Sequence, residues 1–323
     1  MSIGEVMIEM LARCCVYDGV LVVKKAAGWT SHDVVAKIRR LLGGIKVGHG
    51  GTLDPSATGV LPILIGKATR IAEYLMDWEK EYRAVLRLGV STDTQDATGT
   101  VLMQRGTAHL ERSTLDEVIG RFRGSIRQVP PMYSAVKVGG VPLYKSARAG
   151  KTVAREPRNV HIRVLDVLKV DGQDVTFRVV CSKGTYIRAL CADIGDALGV
   201  GGHLHTLERT RVGPLGVEQA LTVEALASLL ALGRLGEEVW TLDRVLESLP
   251  TLVVDASAAN RVRHGAPVPW SNIVWRESTA AIETIEGKAV RIHDLGGRLL
   301  AIGRNTSGSC GAIAIEKVLS SQR

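Results

Sequence analysis

The spacing of apolar residues along the chain predicts several amphipathic helices. After Thr30, whose distance to Asp33 is that of a capping box, apolar residues recur every three or four positions until Gly43. The same spacing predicts helices over residues 67–77, 113–122, 187–198, 223–230, 242–246 and 256–264. Within them, Ser113 is the expected cap of its helix and Met76 is expected to face the core. No apolar run reaches the ~18 residues of a membrane span, so none is expected.

Strands are predicted where the pattern has a period of two or where a short apolar run lies between turn residues. In residues 80–90 every second residue is apolar, which indicates one buried face and places Tyr82 on it. Residues 19–24 and 60–65 are short apolar runs typical of buried strands. Two hairpins are expected, with turns at Asp171-Gly172 and Gly296-Gly297.

Residues 48–62, with the sequence GHGGTLDPSATGVLP, form the most unusual stretch of the chain. Its glycines and prolines prevent a helix and predict a shaped loop. Asp54 precedes Pro55, and the proline ring restricts the residue before it to an extended conformation. A carboxylate on a rigid loop braced by the strand at 60–65 suits nucleophilic or acid–base chemistry. The alternative is an Asx turn, in which this carboxylate caps backbone N–H groups.

Composition and charge narrow the class of protein. The 323 residues are enough for two domains, and the net charge of +8 favours a polyanionic partner such as nucleic acid. The five cysteines show neither CxxC spacing nor a paired framework, which favours a reducing compartment and no structural zinc. His203 and His205 lack an accompanying set of ligands, so no metal is expected there. The first 15 residues lack a basic signal-peptide region, and a cytoplasmic protein is expected.

Basic residues are concentrated between positions 137 and 163, where Glu156 is the single acid. The basic side chains in this segment are Lys137, Lys145, Arg148, Lys151, Arg155, Arg158 and Arg163. Together with Tyr133 and Tyr144 they have the composition of a surface that follows a phosphate backbone. The alternative for each single residue is ordinary solvated surface.

Four further motifs follow the loop at 48–62 along the chain. They are Lys80-Glu81-Tyr82-Arg83, STDTQDATG at 91–99, PPMYSAVK at 130–137 and KGTYIR at 183–188. These five motifs, spread over roughly 140 residues, resemble the TruB family of pseudouridine synthases, and so many ordered matches are far more specific than one motif alone. The form that the chain resembles most is the stand-alone bacterial one, which modifies uridine 55 in the T-loop of tRNA. Ala26 and Gly50 depart from the family pattern, which usually has proline and often threonine there.

The resemblance implies a fold and a division of the chain. The fold expected is α+β, with a mixed, largely antiparallel central sheet in a catalytic domain at 17–249. A small β-rich domain similar to the PUA type of RNA-binding module is expected at 250–323.

The resemblance also implies roles for individual residues. Asp54 would be the nucleophile, attacking either C6 of the base or C1′ of the ribose, and Arg188 would hold it. Tyr82, which the pattern alone equally allows as a core tyrosine, would stack on the target uracil. From its position in the first turn of a helix, Arg188 could also be a solvated arginine. The residues expected to bind substrate are His49, Tyr186, Leu207, Lys137, Lys145, Arg148 and Lys151. Asp93 and Asp96 are expected chiefly to cap their own turn.

The activity implied is the isomerisation of uridine to pseudouridine in the tRNA T-arm, with the base flipped out of its stack. No cofactor, no metal, no membrane and no obligatory protein partner are implied, and a monomer is expected. Two alternatives stay open. One is a guide-RNA-dependent synthase with partner proteins, and the other is an RNA-binding protein without catalysis.

Overall fold

A computed structural model describes residues 17–107, 111–276, 287–305 and 312–320. Residues 19–216 contain thirteen of the described strands. They are β1 (Gly19–Lys25), β2 (Val47–His49), β3 (Thr58–Ile65), β4 (Lys80–Leu88), β5 (Val90–Thr92), β6 (Val101–Gln104), β7 (Gly124–Gln128), β8 (Lys137–Val138), β9 (Val141–Pro142), β10 (Arg158–Asp171), β11 (Asp174–Cys181), β12 (Gly202–Val212) and β13 (Leu215–Gly216).

Eight α-helices are described along the chain. They are α1 (Ser31–Leu41), α2 (Ala72–Asp77), α3 (Arg112–Gly120), α4 (Leu143–Arg148), α5 (Ile187–Ala197), α6 (Val223–Ala231), α7 (Leu242–Val245) and α8 (Ala256–Arg263). Short 3₁₀ helices cover Gly66–Ile71, Val217–Gln219, Leu235–Glu238 and Trp270–Asn272. Among the described residues, none of the helices has the length and apolar character needed to span a bilayer.

The central sheet contains nine of the described strands. Seven follow the order β1-β3-β12-β4-β11-β10-β7, with β2 paired to β3 and β13 paired to β12. Only β12 and β3 run parallel in this sheet, and the remaining pairs are antiparallel. The predicted mixed, largely antiparallel sheet is therefore confirmed.

Alternation along β4 sets the two faces of this sheet. Tyr82, Ala84, Leu86 and Leu88 are buried and pack with the apolar face of α5, whereas Arg83 is exposed on the other face. The predicted inward direction of Tyr82 is confirmed. The hairpin of β10 and β11 turns at Gly172, which has φ +59° and so requires a residue that tolerates the left-handed region.

A second sheet forms from the strands after residue 250. These are β14 (Thr251–Val254), β15 (Val268–Pro269), β16 (Ile273–Arg276), β17 (Ala289–His293), β18 (Leu299–Asn305) and β19 (Ala312–Val318). Their order is β15-β19-β18-β17-β14-β16, and α8 packs on the sheet in its own hydrophobic cluster. The expectation of a small β-rich unit in this part of the chain is confirmed, as is the hairpin between β17 and β18.

Two expectations about elements were wrong in part, and several elements were not predicted. Residues 67–77 form a 3₁₀ helix followed by α2, and Met76 is exposed rather than in the core. No side chain caps α3, because Glu111 rather than Ser113 occupies the N-cap position. Strand β12 was not predicted, although it lies at the centre of the sheet. The β8–β9 hairpin and α4 were also missed within the basic segment.

Candidate active site

The loop that carries Asp54 is held by backbone hydrogen bonds on both sides of this residue. Leu53 donates its N–H to Ser31 Oγ at 2.9 Å, and the Ser31 hydroxyl lies 3.2 Å from the Leu53 carbonyl. The Pro55 carbonyl accepts from Gly28 N at 2.9 Å and from Lys25 Nζ at 3.2 Å. The backbone of Asp54 is thus fixed from α1 and from the end of β1.

Lys25 is buried beneath this loop, and its ammonium donates to three carbonyls. Besides Pro55, the acceptors are Ala26 at 2.9 Å and Trp29 at 2.7 Å. Burial lowers the pKa of Lys25 to about 8, and the nearby charge of Asp54 opposes that decrease. Ala26 supplies only a carbonyl here, which a proline would supply equally. This departure from the family pattern therefore leaves the contact intact.

Arg209 on β12 braces the same loop from below, a role that no sequence motif indicated. Its side chain is buried, with 1% exposure. The guanidinium donates to the carbonyls of Val60 at 2.8 Å, Thr52 at 3.3 Å and Gly51 at 3.1 Å. The close approach of β12 requires glycine at position 59, because a Cβ there would lie 2.2 Å from the Arg209 carbonyl oxygen.

Asp54 and Arg188 form an ion pair at the start of α5. Arg188 Nε lies 2.9 Å from Asp54 Oδ2, and Nη2 lies 3.2 Å from Oδ1, so both carboxylate oxygens are engaged. The Arg188 side chain is only 5% exposed, whereas that of Asp54 is 37% exposed. A buried guanidinium thus orients a carboxylate that solvent can reach. Among the described residues no backbone N–H donates to this carboxylate, so the structure does not show the Asx turn.

The remaining hydrogen bonds of Arg188 tie two other motifs to the pair. It donates to the carbonyls of Tyr133 at 2.8 Å and Thr94 at 3.3 Å, and Asp96 Oδ2 lies 3.9 Å from its Nε. Asp96 also caps its own turn, since its Oδ1 accepts from the N–H of Thr98 at 2.9 Å. Four of the five sequence motifs, those of Asp54, Thr94, Tyr133 and Arg188, therefore meet at one guanidinium.

Tyr82, in the remaining motif, lies buried on β4. Its cross-strand partners are Val179 on β11 and Arg209 on β12, and it packs in the same apolar cluster as Leu53 and Ile187. Burial raises the pKa of Tyr82 to about 12, with the adjacent Arg209 charge opposing the increase. The phenol is therefore neutral over the physiological range, and its ring lies in the core directly under the Asp54 loop.

A cleft of about 570 Å³ opens beside Asp54. It crosses the sheet from β3, which contributes Thr58, over β12 and β4 to Thr176 on β11. Three strand spacings correspond to ~14 Å. Leu207, Ala57 and Asp96 line the cleft together with Asp54, whereas Tyr82 and Arg188 do not line it. A negatively charged side chain in a cleft wall of mixed apolar and hydroxyl character can attack a bound ligand.

The other predicted substrate-binding residues are spread around this centre. His49, in the loop, accepts the Gly51 N–H through Nδ1 at 3.3 Å and packs edge-to-face on His32, with ring centroids 5.9 Å apart. Burial lowers the pKa of His49, which favours the neutral ring. Tyr186 stands at the N-cap position of α5, where Gln128 holds its backbone N–H and carbonyl.

The four basic residues predicted to bind substrate do not reach Asp54. Lys137, Lys145, Arg148 and Lys151 are all exposed on the β8–β9 hairpin, α4 and the turn after it. Arg148 lies 5.7 Å above the ring of Tyr144. Among the described residues, the contact between this segment and the Asp54–Arg188 pair is made at the start of the segment, where the Tyr133 carbonyl accepts a hydrogen bond from Arg188.

His203 and His205, the two histidines considered as metal ligands, contact protein groups instead. His203 Nδ1 lies 2.8 Å from the Val90 carbonyl, and the His203 and His205 rings pack edge-to-face. In the part of the chain that the structure describes, no group of three or more His, Cys, Asp or Glu side chains is placed to hold a metal ion.

Comparison with known proteins identifies the class to which this arrangement belongs. The model of the TruB family pseudouridylate synthase N-terminal domain matches residues 39–187, and that of the tRNA pseudouridylate synthase B C-terminal domain matches residues 188–254. The tRNA pseudouridine synthase B of Burkholderia mallei (strain NCTC 10247) is 44% identical over 291 residues, which cover 90% of this chain and 94% of that protein. The protein of the same description from Geotalea uraniireducens (strain Rf4) is 44% identical over 287 residues, which cover 89% of this chain and 91% of that protein.

Solved structures agree with these matches. The structure described as a Cbf5-Nop10-Gar1 complex gives a TM-score of 0.74 at 32% identity, covering 97% of this chain and 87% of the other. A second structure, described as an H/ACA RNP bound to a substrate RNA containing 2′-deoxyuridine, gives a TM-score of 0.72 at 30% identity. The match covers 97% of this chain and 87% of the other. The fold is that of a pseudouridine synthase. The chain belongs to the TruB family.

Proposed function

We propose that this protein converts uridine to pseudouridine at position 55 in the T-loop of tRNA. The single observation that carries the proposal is the Asp54–Arg188 pair, in which a buried arginine aims a solvent-accessible carboxylate into a cleft. The relatives described as tRNA pseudouridine synthase B support tRNA as the substrate.

The reaction is an isomerisation, so its atoms balance within the substrate. The N1–C1′ bond breaks, the uracil rotates, and a C5–C1′ bond forms while C5 loses a proton and N1 gains one. Asp54 would supply the nucleophile, adding either to C6 of the base or to C1′ of the ribose, and would be regenerated at the end. Arg188 would hold the carboxylate in its attacking direction through two hydrogen bonds.

The other residues would bind and enclose the substrate. Leu207 lines the cleft beside Asp54 and would contact the uracil. Tyr82 is buried and does not line the cleft, so it would stack on the flipped base, as a neutral phenol, only after the side chains that cover it move aside. His49 would either fill the space that the flipped base leaves or contact RNA, and Tyr186 would contact the substrate from the start of α5. Lys137, Lys145, Arg148 and Lys151 would contact phosphates of the T-arm, since they are exposed and none has a carboxylate partner among the described residues.

The two sheets support a division of the chain into two domains. Residues 17–249 would form the catalytic domain, and residues 250–323 would form a PUA-like domain that docks RNA. We further propose that the protein acts as a cytoplasmic monomer without an obligatory protein partner or cofactor.

A second candidate is a guide-RNA-dependent synthase that needs partner proteins. The observation that favours it is the likeness to Cbf5 in a structure that also contains Nop10 and Gar1. Purified protein incubated with a T-arm stem-loop RNA alone separates the two. Turnover without added proteins supports the stand-alone enzyme.

The decisive measurement is tritium release from stem-loop RNA labelled at uracil C5, because isomerisation must free that hydrogen. Asp54→Asn keeps the size of the side chain but removes the nucleophile, and turnover should fall to the detection limit. Arg188→Ala should also reduce turnover strongly. The double variant should lose little beyond Asp54→Asn, because residues that act as one unit are non-additive.

Asp171→Asn is the matched control for this experiment. It makes the same chemical change in an exposed hairpin turn and should leave turnover unchanged. If Asp54→Asn retains wild-type turnover, Asp54 is not the nucleophile and the proposed mechanism is lost.

A further inference from the structure

The cleft that begins at Asp54 extends well past the space that one base needs. Its floor on β4 consists of Arg83 and Val85, which lie on the face of the sheet opposite to Tyr82. Val85 is flanked in register by Thr176 on β11 and Thr206 on β12, and both hydroxyl side chains line the cleft. Polar groups thus continue across the sheet after the reacting carboxylate.

Arginines elsewhere on this face of the sheet are matched with carboxylates. Arg87 donates to both oxygens of Asp174 at 2.8 and 2.7 Å. Glu81 accepts from Arg178 at 3.0 Å and from Arg211 at 3.1 Å. These guanidiniums are therefore neutralised by the protein itself.

Arg83 is the exception among them. It is exposed in the cleft, and within the described residues no carboxylate lies within ion-pair distance of its guanidinium. Its register partner on β12 is Glu208, which also lines the cleft. Residues directly opposite each other have Cβ atoms about 5 Å apart, so the two side chains could pair. Arg83 and Glu208 nevertheless form no ion pair with each other. Among the described residues, Glu208 forms no ion pair with any other side chain either.

We propose that Arg83 and Glu208 form a ribonucleotide subsite for the nucleotide next to the target uridine. The inference rests on the proposed function, because it places this subsite in the same cleft as Asp54. Arg83 binds the phosphate, since a guanidinium matches phosphate oxygens in charge and geometry. Glu208 accepts a hydrogen bond from the ribose 2′-hydroxyl, a group that DNA lacks. A cation and an acceptor on adjacent strands thus fit the two polar groups of one ribonucleotide.

The Arg83 contact is tested by comparing Arg83→Gln with Arg121→Gln. Both variants lower the net charge by one, but Arg121 is exposed at the C-cap of α3, outside the cleft, and is paired with Glu117. Arg83→Gln should raise KM for the stem-loop RNA about tenfold and lower the salt slope of RNA binding by about one. Arg121→Gln should change neither. Arg83→Lys should restore the salt slope, which shows that the loss came from charge rather than from misfolding.

The Glu208 contact is tested with RNA that carries a single 2′-deoxy nucleotide on either side of the target. For the wild-type protein one of these substitutions should raise KM severalfold. For the Glu208→Gln variant, the same 2′-deoxy nucleotide should raise KM markedly less, because the amide is a weaker hydrogen-bond acceptor than the carboxylate. An equal cost in both proteins, or an Arg83→Gln variant that behaves like Arg121→Gln, overturns the subsite.

The RNA affinities are measured by fluorescence anisotropy as well as by tritium release. If the wild-type protein releases no tritium, the proposed function fails. The affinities of Arg83→Gln and Arg121→Gln for the same RNA then decide the subsite on their own.

Discussion

At the scale of single residues, Gly50 shows how little room the Asp54 loop leaves. A Cβ placed on it would lie 3.2 Å from Leu75 Cβ and Cδ2 and 3.2 Å from Pro62 Cβ. Such contacts are tighter than ordinary packing, and neither Pro62 nor the Cβ of a helical residue moves easily. The glycine at this departure from the family pattern is therefore matched to its surroundings in this chain.

Replacing Gly50 should destabilise the protein in proportion to the size of the new side chain. We expect Gly50→Thr to lower the free energy of unfolding by about 1–3 kcal/mol, and Gly50→Ala by less, because overpacking strains the neighbours. Urea denaturation measures the change. Gly120→Ala, where no atom lies within 4 Å of the added Cβ, should be neutral or slightly stabilising. A Gly50→Thr variant as stable as the wild-type protein would contradict this packing.

Lys80 should make stability depend on pH in the alkaline range. Its buried ammonium donates to the carbonyls of Met76 and Trp78, and burial lowers its pKa from 10.5 to about 8. Between pH 8 and 10.5 the unfolded chain therefore binds more protons at this residue than the folded chain. The contribution of Lys80 to the free energy of unfolding rises with pH over that window.

The comparison of wild-type protein with Lys80→Met isolates this titration from those of the other groups. The difference in free energy of unfolding, wild type minus variant, should increase between pH 8 and 10.5, by about 3 kcal/mol at most. Urea denaturation at pH 7.5, 9 and 10 measures it. A difference that is constant or falls with pH would show that the folded-state pKa is not lowered.

At the scale of elements, helices and strands with one buried face were the easiest to predict from the sequence. Strand β4 and helix α5 have regular apolar periods, so their limits and the positions of Tyr82 and Arg188 on them could be anticipated. Strand β12 could not, because His205, Glu208 and Arg209 interrupt its apolar pattern. Its burial depends on carbonyls at positions 51, 52 and 60, which only the folded chain brings to Arg209.

The same distinction applies to the site. Asp54 and Arg188 could be proposed because each lies in a distinctive motif, and the structure places them in contact. Neither the bracing by Arg209 nor the unpaired state of Arg83 could be predicted. Both depend on which residues stand opposite on neighbouring strands, and that register is set by tertiary packing.

The segment with β8, β9 and α4 exposes basic side chains outside the cleft. Its base is tied to the body of the protein, since Tyr144 N–H donates to the Ser134 carbonyl at 3.0 Å and Arg155 donates to the Pro130 carbonyl at 3.1 Å. Its exposed end carries Lys145, Arg148 and Lys151. Tyr133 belongs to this base, and its carbonyl accepts a hydrogen bond from Arg188 at 2.8 Å. The base of the segment therefore lies next to the Asp54–Arg188 pair in space.

Reversing the charge of this segment should weaken RNA binding. We expect replacement of Lys145, Arg148 and Lys151 by Glu to raise KM and to flatten the salt dependence of binding, because fewer counterions are released per complex. The same three charge reversals at Arg112, Arg121 and Lys169, which are exposed elsewhere, serve as the control. Equal salt slopes for the two triple variants would show that the segment does not contact phosphate.

At the scale of the whole molecule, the second sheet is packed into the core of the first part of the chain. Ala289, Ile302 and Leu319 belong to the same hydrophobic cluster as Ile71 and Leu75. Polar contacts surround this cluster. Arg70 donates to the Val318 carbonyl at 2.6 Å, Tyr74 donates to Glu316 at 2.8 Å, and Asp243 accepts from Arg291 at 2.8 Å.

This shared cluster has a consequence for the Asp54 loop. Leu75 packs in the cluster on one side and approaches Gly50 on the other. The second sheet therefore supports the helix against which the Asp54 loop rests. Even if its function is to dock RNA, it should contribute to the stability of the catalytic part.

We therefore expect the two parts to unfold together rather than independently. Leu319 is buried in the shared cluster, and Leu319→Ala should lower the free energy of unfolding by about 2–5 kcal/mol. Leu295, exposed in the turn between β17 and β18, is the matched control, and Leu295→Ala should change it by less than about 0.5 kcal/mol. Calorimetry should show one transition for the wild-type protein, shifted to lower temperature as a whole by Leu319→Ala. Two separate transitions, with only one of them moved by Leu319→Ala, would mean that the second sheet folds on its own and gives the Asp54 loop no support.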